Sequence, residues 1–361
     1  SWTHPQPSKA DTSSPPYAIP HTFLRGSEYN WRMPSPNASS SPLTDTPGST
    51  RLAGFGRARL GIALVTAILA VSTASIFIRF AQQDAPSLVI AALRLTCAAV
   101  LLAPPALVRY RTELARLTRG EILLGAISGL FLAVHFATWI SSLEYTSIAS
   151  SVVFVSTGPL WVALLSPVLL NERLSRLAVI GLGIAILGGI IIGLSDACLW
   201  DNGLRCPELA EVVQGRAMWG NFLALIGAWT VSGYLIIGRK LRIKMPLIPY
   251  IFLVYGMSAI ALIVMMLVAG YSPLGYPPKT YGWIFLMALF PQLIGHSTYN
   301  WVLRYLPAAL VAAVTLVEPI SSAVLAYFIL SEAPSTGVLL GGLLILSGIF
   351  LASRKQLTSV A

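Results

Sequence analysis

Four side chains in this sequence carry chemistry where chemistry is costly. Arg94, His135, His296 and Glu318 each lie inside a long apolar run, and an ionisable group at membrane depth marks a function or a partner. Glu318, followed at once by Pro319, sits near the middle of the run 307–330. It is a candidate to exchange a proton or bind a cation; alternatively it is a structural acid held by Arg94 or a hydroxyl. Arg94 is read first as the other half of a fold-holding ion pair with Glu318, and second as a site for an anionic group of a substrate. His296 forms with Gln292 and Asn300 a series spaced by four, hence one stripe along a helix. A polar stripe cannot face lipid, so this one is expected to line a cavity. His135 shares a face with Trp139 and Ser142. Trp139 and Trp161 offer aromatic faces for a cationic or aromatic solute, whereas Trp301 sits near a helix end, where interfacial Trp is common.

The chemistry excluded is as informative. No phosphate-cradling loop, nucleophile elbow or HExxH motif is present, so neither ATP-driven transport nor these hydrolases are expected, and no cofactor is implied. No second His, Cys or acid stands at ligand spacing from either histidine, so no metal site is expected. Cys97 reads as a small apolar filler. Cys198 and Cys206, eight positions apart in the longest loop, are candidates for a disulfide on the oxidising side.

The elements that must position these residues follow from composition. Of 361 residues, 55% are hydrophobic and only 11% charged, against about 25% charged in a soluble domain. The mean hydropathy is +0.74. The net charge of +10 needs no nucleic acid, because membrane proteins concentrate Lys and Arg in cytoplasmic loops. Residues 1–56 are rich in Pro, Ser and Thr without periodicity and read as a disordered tail. Ten apolar runs follow, near 60–79, 86–107, 121–142, 148–169, 175–194, 218–237, 248–269, 281–302, 307–330 and 335–352. Each approaches the roughly 20 residues a membrane-spanning helix requires.

The runs repeat. Shifting by 160 positions pairs Arg79 with Arg239, Pro86 with Pro246, Tyr145 with Tyr305, Pro159 with Pro319, Glu172 with Glu332, Gly181 with Gly341 and Gly188 with Gly348. A constant offset over most of the chain is a duplication. The expected units are a tail at 1–56 and two five-helix repeats at 57–200 and 201–361. An odd number of spans inverts the second repeat relative to the first, the plan of alternating-access carriers. Basic clusters at Arg109–Arg119, Arg239–Lys244 and Arg354–Lys355 fall on one side, which predicts both termini in the cytoplasm. Glu172 and Glu332 read as helix-end residues that cap or pair with nearby bases, outside any site.

Three stretches carry a resemblance. PSLVIAALRLTCAAVLLAPP, SLEYTSIASSVVFVSTGPLWVALLSPVLLNERLS and its echo LRYLPAALVAAVTLVEPISSAVLAYFILSEAPS resemble the drug/metabolite transporter superfamily, EamA type, over about residues 60–352. Val254 replaces the arginine that would match Arg94. The resemblance implies an all-α integral membrane fold of ten helices in two inverted repeats. It implies a secondary carrier exporting small organic solutes (amino acids, metabolites or lipophilic cations) from a plasma or inner membrane. A facilitator or importer of metabolites such as nucleotide sugars is the alternative within transport; a scaffold or a membrane-embedded enzyme is the alternative outside it. The expected partners are a small-molecule substrate and the bilayer, with no nucleic acid, in a monomer or homodimer.

Overall fold

The computed structural model describes residues 47–161, 164, 176–197, 199–200, 204–205, 215–306 and 308–358. Cys198, Cys206 and Glu172 lie outside these residues, and so does the expected disulfide. The contacts below all belong to one compact unit, Leu52–Ala361.

Among the described residues the chain is helical apart from two two-residue strands, Leu199–Trp200 and Leu204–Arg205, paired antiparallel. In chain order the helices are α1 (Pro47–Ser72), α2 (Ala74–Ala81), α3 (Ser87–Pro104), α4 (Arg111–Ala115), α5 (Arg119–Ser142), α6 (Ile148–Val155) and α7 (Arg176–Ala197). The second half adds α8 (Arg216–Arg242), α9 (Leu247–Val268), α10 (Pro278–Met287), α11 (Ser297–Val302), α12 (Ala308–Val314), α13 (Glu318–Leu330) and α14 (Thr336–Thr358). Among the described residues, five runs are long and apolar enough to cross a membrane: Arg59–Ala81, Ser87–Arg109, Arg119–Ser142, Arg216–Arg242 and Leu247–Val268. Shorter apolar helices cover Ile148–Trp161, Val179–Ser195, Thr315–Leu330 and Thr336–Ala352. Large apolar side chains stand fully outside, Val268 at 84% and Phe328 at 77% exposure, which suits a hydrocarbon solvent and would be a liability in water.

Local sequence sets the helix starts. Thr118 and Glu121 form a reciprocal capping box at α5, with Thr118 Oγ1 accepting from the Glu121 amide at 3.2 Å and the Thr118 amide donating back at 2.9 Å. Ser147 Oγ accepts from the Ser150 amide at 3.1 Å to cap α6. Two acids cap neighbouring helices from outside. Glu144 accepts from the Ser87 amide at the start of α3, and Glu332 accepts from the Ile148 amide at the start of α6. Both place negative charge where a helix dipole favours it. Glu332 also pairs with Arg79 at 3.5 Å, so its base is Arg79 rather than a neighbour in sequence.

The 160-residue offset reappears as matched hydrogen bonds. Arg79 Nη1 donates to the Leu143 carbonyl, and Arg239 Nη1 donates to Leu303, the position repeat-related to Leu143. Gln82 Nε2 donates to the Ile140 carbonyl at 2.9 Å, while Arg242 Nε donates to Asn300 at 2.8 Å, again one repeat apart. The closest helix crossing follows the same rule. A side chain at Gly188 would meet the backbone oxygen of Gly341, and one at Gly181 would meet that of Gly348. Contacts rising along α7 therefore fall along α14, which makes the pair antiparallel. They are also reciprocal: each glycine touches the twin of the other, as a two-fold axis requires. Glycine permits this approach because, without a hydrophobic drive between helices in lipid, close packing holds them together.

Two expected runs are not continuous α-helices. The run 281–302 is α-helical to Met287, then winds as a π-helix from Ala288 to His296 before α11. Pro291 inside it lacks an amide hydrogen and clashes with the preceding turn, which displaces the hydrogen-bond register. The run 307–330 breaks at a 3₁₀ turn, Thr315–Val317, and restarts at Glu318 with Pro319 in the first turn of α13. Its counterpart breaks at the equivalent point: α6 ends at Val155, and Ser156 and Thr157 form a turn ahead of Gly158–Pro159.

Candidate substrate cavity

A cavity opens where α5, α8, the π-helical segment and both broken helices converge. Its lining includes His135 and Trp139 from α5, Tyr234 from α8, and His296 and Tyr299. Ser156, Gly158 and Pro159 come from the first break, Thr315 and Glu318 from the second. Both repeats contribute. The room inside it is about 70 Å³, and the remaining wall is apolar, with Val71, Val155, Val231, Leu235 and Val311.

Glu318 is the acid of this cavity. Because the helix restarts there, its carboxylate stands in the first turn of α13, while the Glu318 amide donates back to the Thr315 carbonyl of the 3₁₀ turn. Tyr299 donates its hydroxyl to Glu318 Oε1 at 2.6 Å. His135 and His296 meet across the repeats with ring centroids 6.5 Å apart. His135 Nδ1 lies 2.9 Å from the Gly227 carbonyl; a carbonyl only accepts, so Nδ1 carries the proton and Nε2 is left free to accept. Trp139 stacks on His135, centroids 5.9 Å apart and planes within 15°. Its Nε1 has no hydrogen-bond partner among the described residues. The cavity thus presents one carboxylate, two imidazoles and flat aromatic faces.

The remaining expected residues are placed elsewhere. The Gln292–His296–Asn300 stripe contributes only its middle member to the lining. His296 reaches the cavity. Gln292, fully buried, accepts from Arg94 Nε at 3.1 Å. Asn300, also fully buried, accepts from Tyr234 at 2.7 Å and donates to Tyr255 at 3.2 Å. Trp161 donates to Thr157 Oγ1 at 3.3 Å and is not part of the lining. The ion pair expected between Arg94 and Glu318 is absent: among the described residues the pairs are Arg79–Glu332 and Lys279–Asp84. Arg94 instead lies over the ring of Phe136, 4.2 Å from its centroid.

Sequence reasoning missed Tyr299, Tyr234 and Phe136. The repeat offset would have found two of them, since Tyr299 is the twin of Trp139 and Phe136 the twin of His296. Tyr234 has no such pointer, because its twin is Ala74.

Known proteins bear on this arrangement. The EamA-like transporter family matches twice, over residues 59–194 and 218–354. An uncharacterized transporter of Archaeoglobus fulgidus is 22% identical over 232 residues, covering 64% of this chain and 75% of its own. A second uncharacterized transporter of that organism is 23% identical over 295 residues, 81% of this chain and 96% of its own. A solved crystal structure superposes with a TM-score of 0.58 at 19% identity, over 82% of this chain and 98% of that one, a likeness of fold. With two matched segments spanning most of the sequence, this chain belongs to the EamA-like transporter family and is a multi-pass membrane transporter.

Proposed function

We propose that the protein is a secondary carrier of ten spanning helices, arranged as two inverted five-helix repeats within 57–200 and 201–361. The observation that carries this reading is the cavity, lined from both repeats at two broken helices with Glu318 in its wall. Broken helices facing a shared site are how such carriers hold a charged solute at mid-membrane. The antiparallel, reciprocal contacts of α7 and α14 support the inversion. In this reading the two repeats rock about the cavity and expose it to each side in turn. Both termini lie in the cytoplasm of a plasma or inner membrane, and the carrier exports its solute as a monomer or homodimer.

The lining favours a small organic solute with one positive charge on an apolar body. Glu318 supplies the counter-charge, Trp139 and Tyr299 supply faces a cation is attracted to, and the valines accept the apolar part. Glu318 would hold either this charge or a proton, and exchange between them would couple transport to the proton gradient. The test is a thermal-unfolding screen of the purified full chain against polyamines, lipophilic cations, amino acids and nucleotides. Amine-bearing classes are expected to raise the midpoint and nucleotides to leave it unchanged. A screen in which no class stabilises the protein, or only nucleotides do, would contradict the reading.

A further inference from the structure

Arg94 is fully buried, and its charge is not neutralised among the described residues. Nε donates to Gln292 and one face of the guanidinium is covered by Phe136. Nη1 and Nη2 have no hydrogen-bond partner among the described residues. The ion pairs of those residues do not include Arg94. Two nitrogens of one guanidinium therefore present N–H donors without an acceptor. Such groups are rare inside proteins, and an uncompensated buried charge is more costly than a neutral one. Acceptors nearby are already engaged. Tyr255 accepts from Asn300 and contacts Ser297 Oγ at 3.3 Å. Ser297 donates to the Gln292 carbonyl at 3.2 Å. An acceptor that carries negative charge would satisfy the donors and the charge together.

We propose that Arg94 and Gln292 form an anion-binding subsite beside the cavity, for a carboxylate or a halide, with the Phe136 ring as its cover. The fork of a guanidinium matches two carboxylate oxygens, and a halide can sit in the same fork. Phe136 links the subsite to the cavity, because its ring also meets His296 edge-on, centroids 5.3 Å apart. Swinging that ring aside would join the two spaces. Position 254, the twin of Arg94, is valine, so the subsite exists in one repeat only. It does not depend on the transport reading: it would bind an anion in a protein that moved nothing.

The experiment measures the unfolding midpoint of the detergent-purified full chain in sodium chloride and in sodium acetate. Ionic strength is held constant with the sodium salt of MES, a sulfonate too bulky for the fork. The proposal expects a saturable rise with chloride or acetate over MES. In Arg94→Gln the apparent dissociation constant should rise by about tenfold or more, the loss of a charge-assisted contact. Should that variant fail to fold, Gln292→Leu keeps the charge but removes a donor and should weaken binding several-fold. Phe136→Leu, which opens the cover, should leave binding intact or tighter. Tighter binding of acetate than of chloride would assign the subsite to a carboxylate on the solute; the reverse order would assign it to free halide. Equal midpoints in all three salts would overturn the proposal, as would an anion response unchanged in Arg94→Gln or in Gln292→Leu.

Discussion

The two halves of this molecule share a skeleton and differ in chemistry. Arg79 and Arg239 tie equivalent helices to equivalent carbonyls, Gly181 and Gly188 meet the twins of one another, and both halves break a helix before a Gly–Pro or Glu–Pro pair. At the same positions the reactive groups are unpaired by type. Glu318 stands where the first half has Gly158, His296 where it has Phe136, and Tyr299 where it has Trp139; Arg94 stands where the second half has Val254. Backbone geometry is under the same packing constraints in both halves, so it stays alike. In the proposed function a single asymmetric solute occupies the cavity, which accounts for the divergence of the side chains around it.

The comparison can be broken first at the skeleton. Gly188→Ala places a methyl 2.5 Å from the Gly341 oxygen, and Gly341→Ala does the same in return. Each should destabilise by about 3 kcal/mol, the upper range for overpacking, read as a lower unfolding midpoint and a loss of folded yield. Gly183, with open space at the same test, should accept alanine unchanged. A tolerant Gly188 together with a tolerant Gly341 would mean that α7 and α14 do not cross here.

A smaller effect sharpens the same point. Arg79 holds two carbonyls, Leu143 and Thr146, and pairs with Glu332, whereas Arg239 holds Leu303. Arg79→Gln should therefore cost about 2 kcal/mol and Arg239→Gln about 1 kcal/mol. Equal losses in paired unfolding measurements would show that the extra contacts of Arg79 contribute nothing.

The smallest effect lies in a loop outside the membrane. The Thr280 hydroxyl, bonded to Asp84 at 2.8 Å, and Lys279 at 3.2 Å hold the Asp84 carboxyl below its ordinary range. Its contribution is present above the ordinary carboxylate range and is lost as pH falls through the lowered value. Wild type should therefore lose a slight advantage over Asp84→Asn on acidification, seen as converging unfolding midpoints. A gap that stays constant or widens as pH falls would contradict it.

Much of this was legible in the sequence, because the signals were periodic or doubled. Apolar runs announce helices by length alone, and the duplication emerges from fixed spacing between glycines, prolines and arginines. His135, Trp139, His296 and Glu318 were found because a costly residue in an apolar run stands out. The placement of Gln292 and Asn300 was not legible. It depends on which side chains neighbouring helices bring to the stripe, Arg94 to Gln292 and Tyr234 and Tyr255 to Asn300. Arg94 was paired with Glu318 on charge alone, although Tyr299 reaches the acid and Gln292 reaches the guanidinium. Partner choice between buried groups is settled by tertiary approach, which spacing along one helix does not encode.

The most direct test of the central claim is solute flux into proteoliposomes under an imposed proton gradient, using the class that best stabilises the protein. Wild type and Glu318→Gln would be compared at equal, verified incorporation. The account predicts gradient-driven flux in wild type and a loss of about a hundredfold in the variant, the scale expected when a charge-paired contact worth roughly 3 kcal/mol is removed. Flux that persists in Glu318→Gln with its rate and pH dependence unchanged would contradict the claim that this cavity and its acid carry transport.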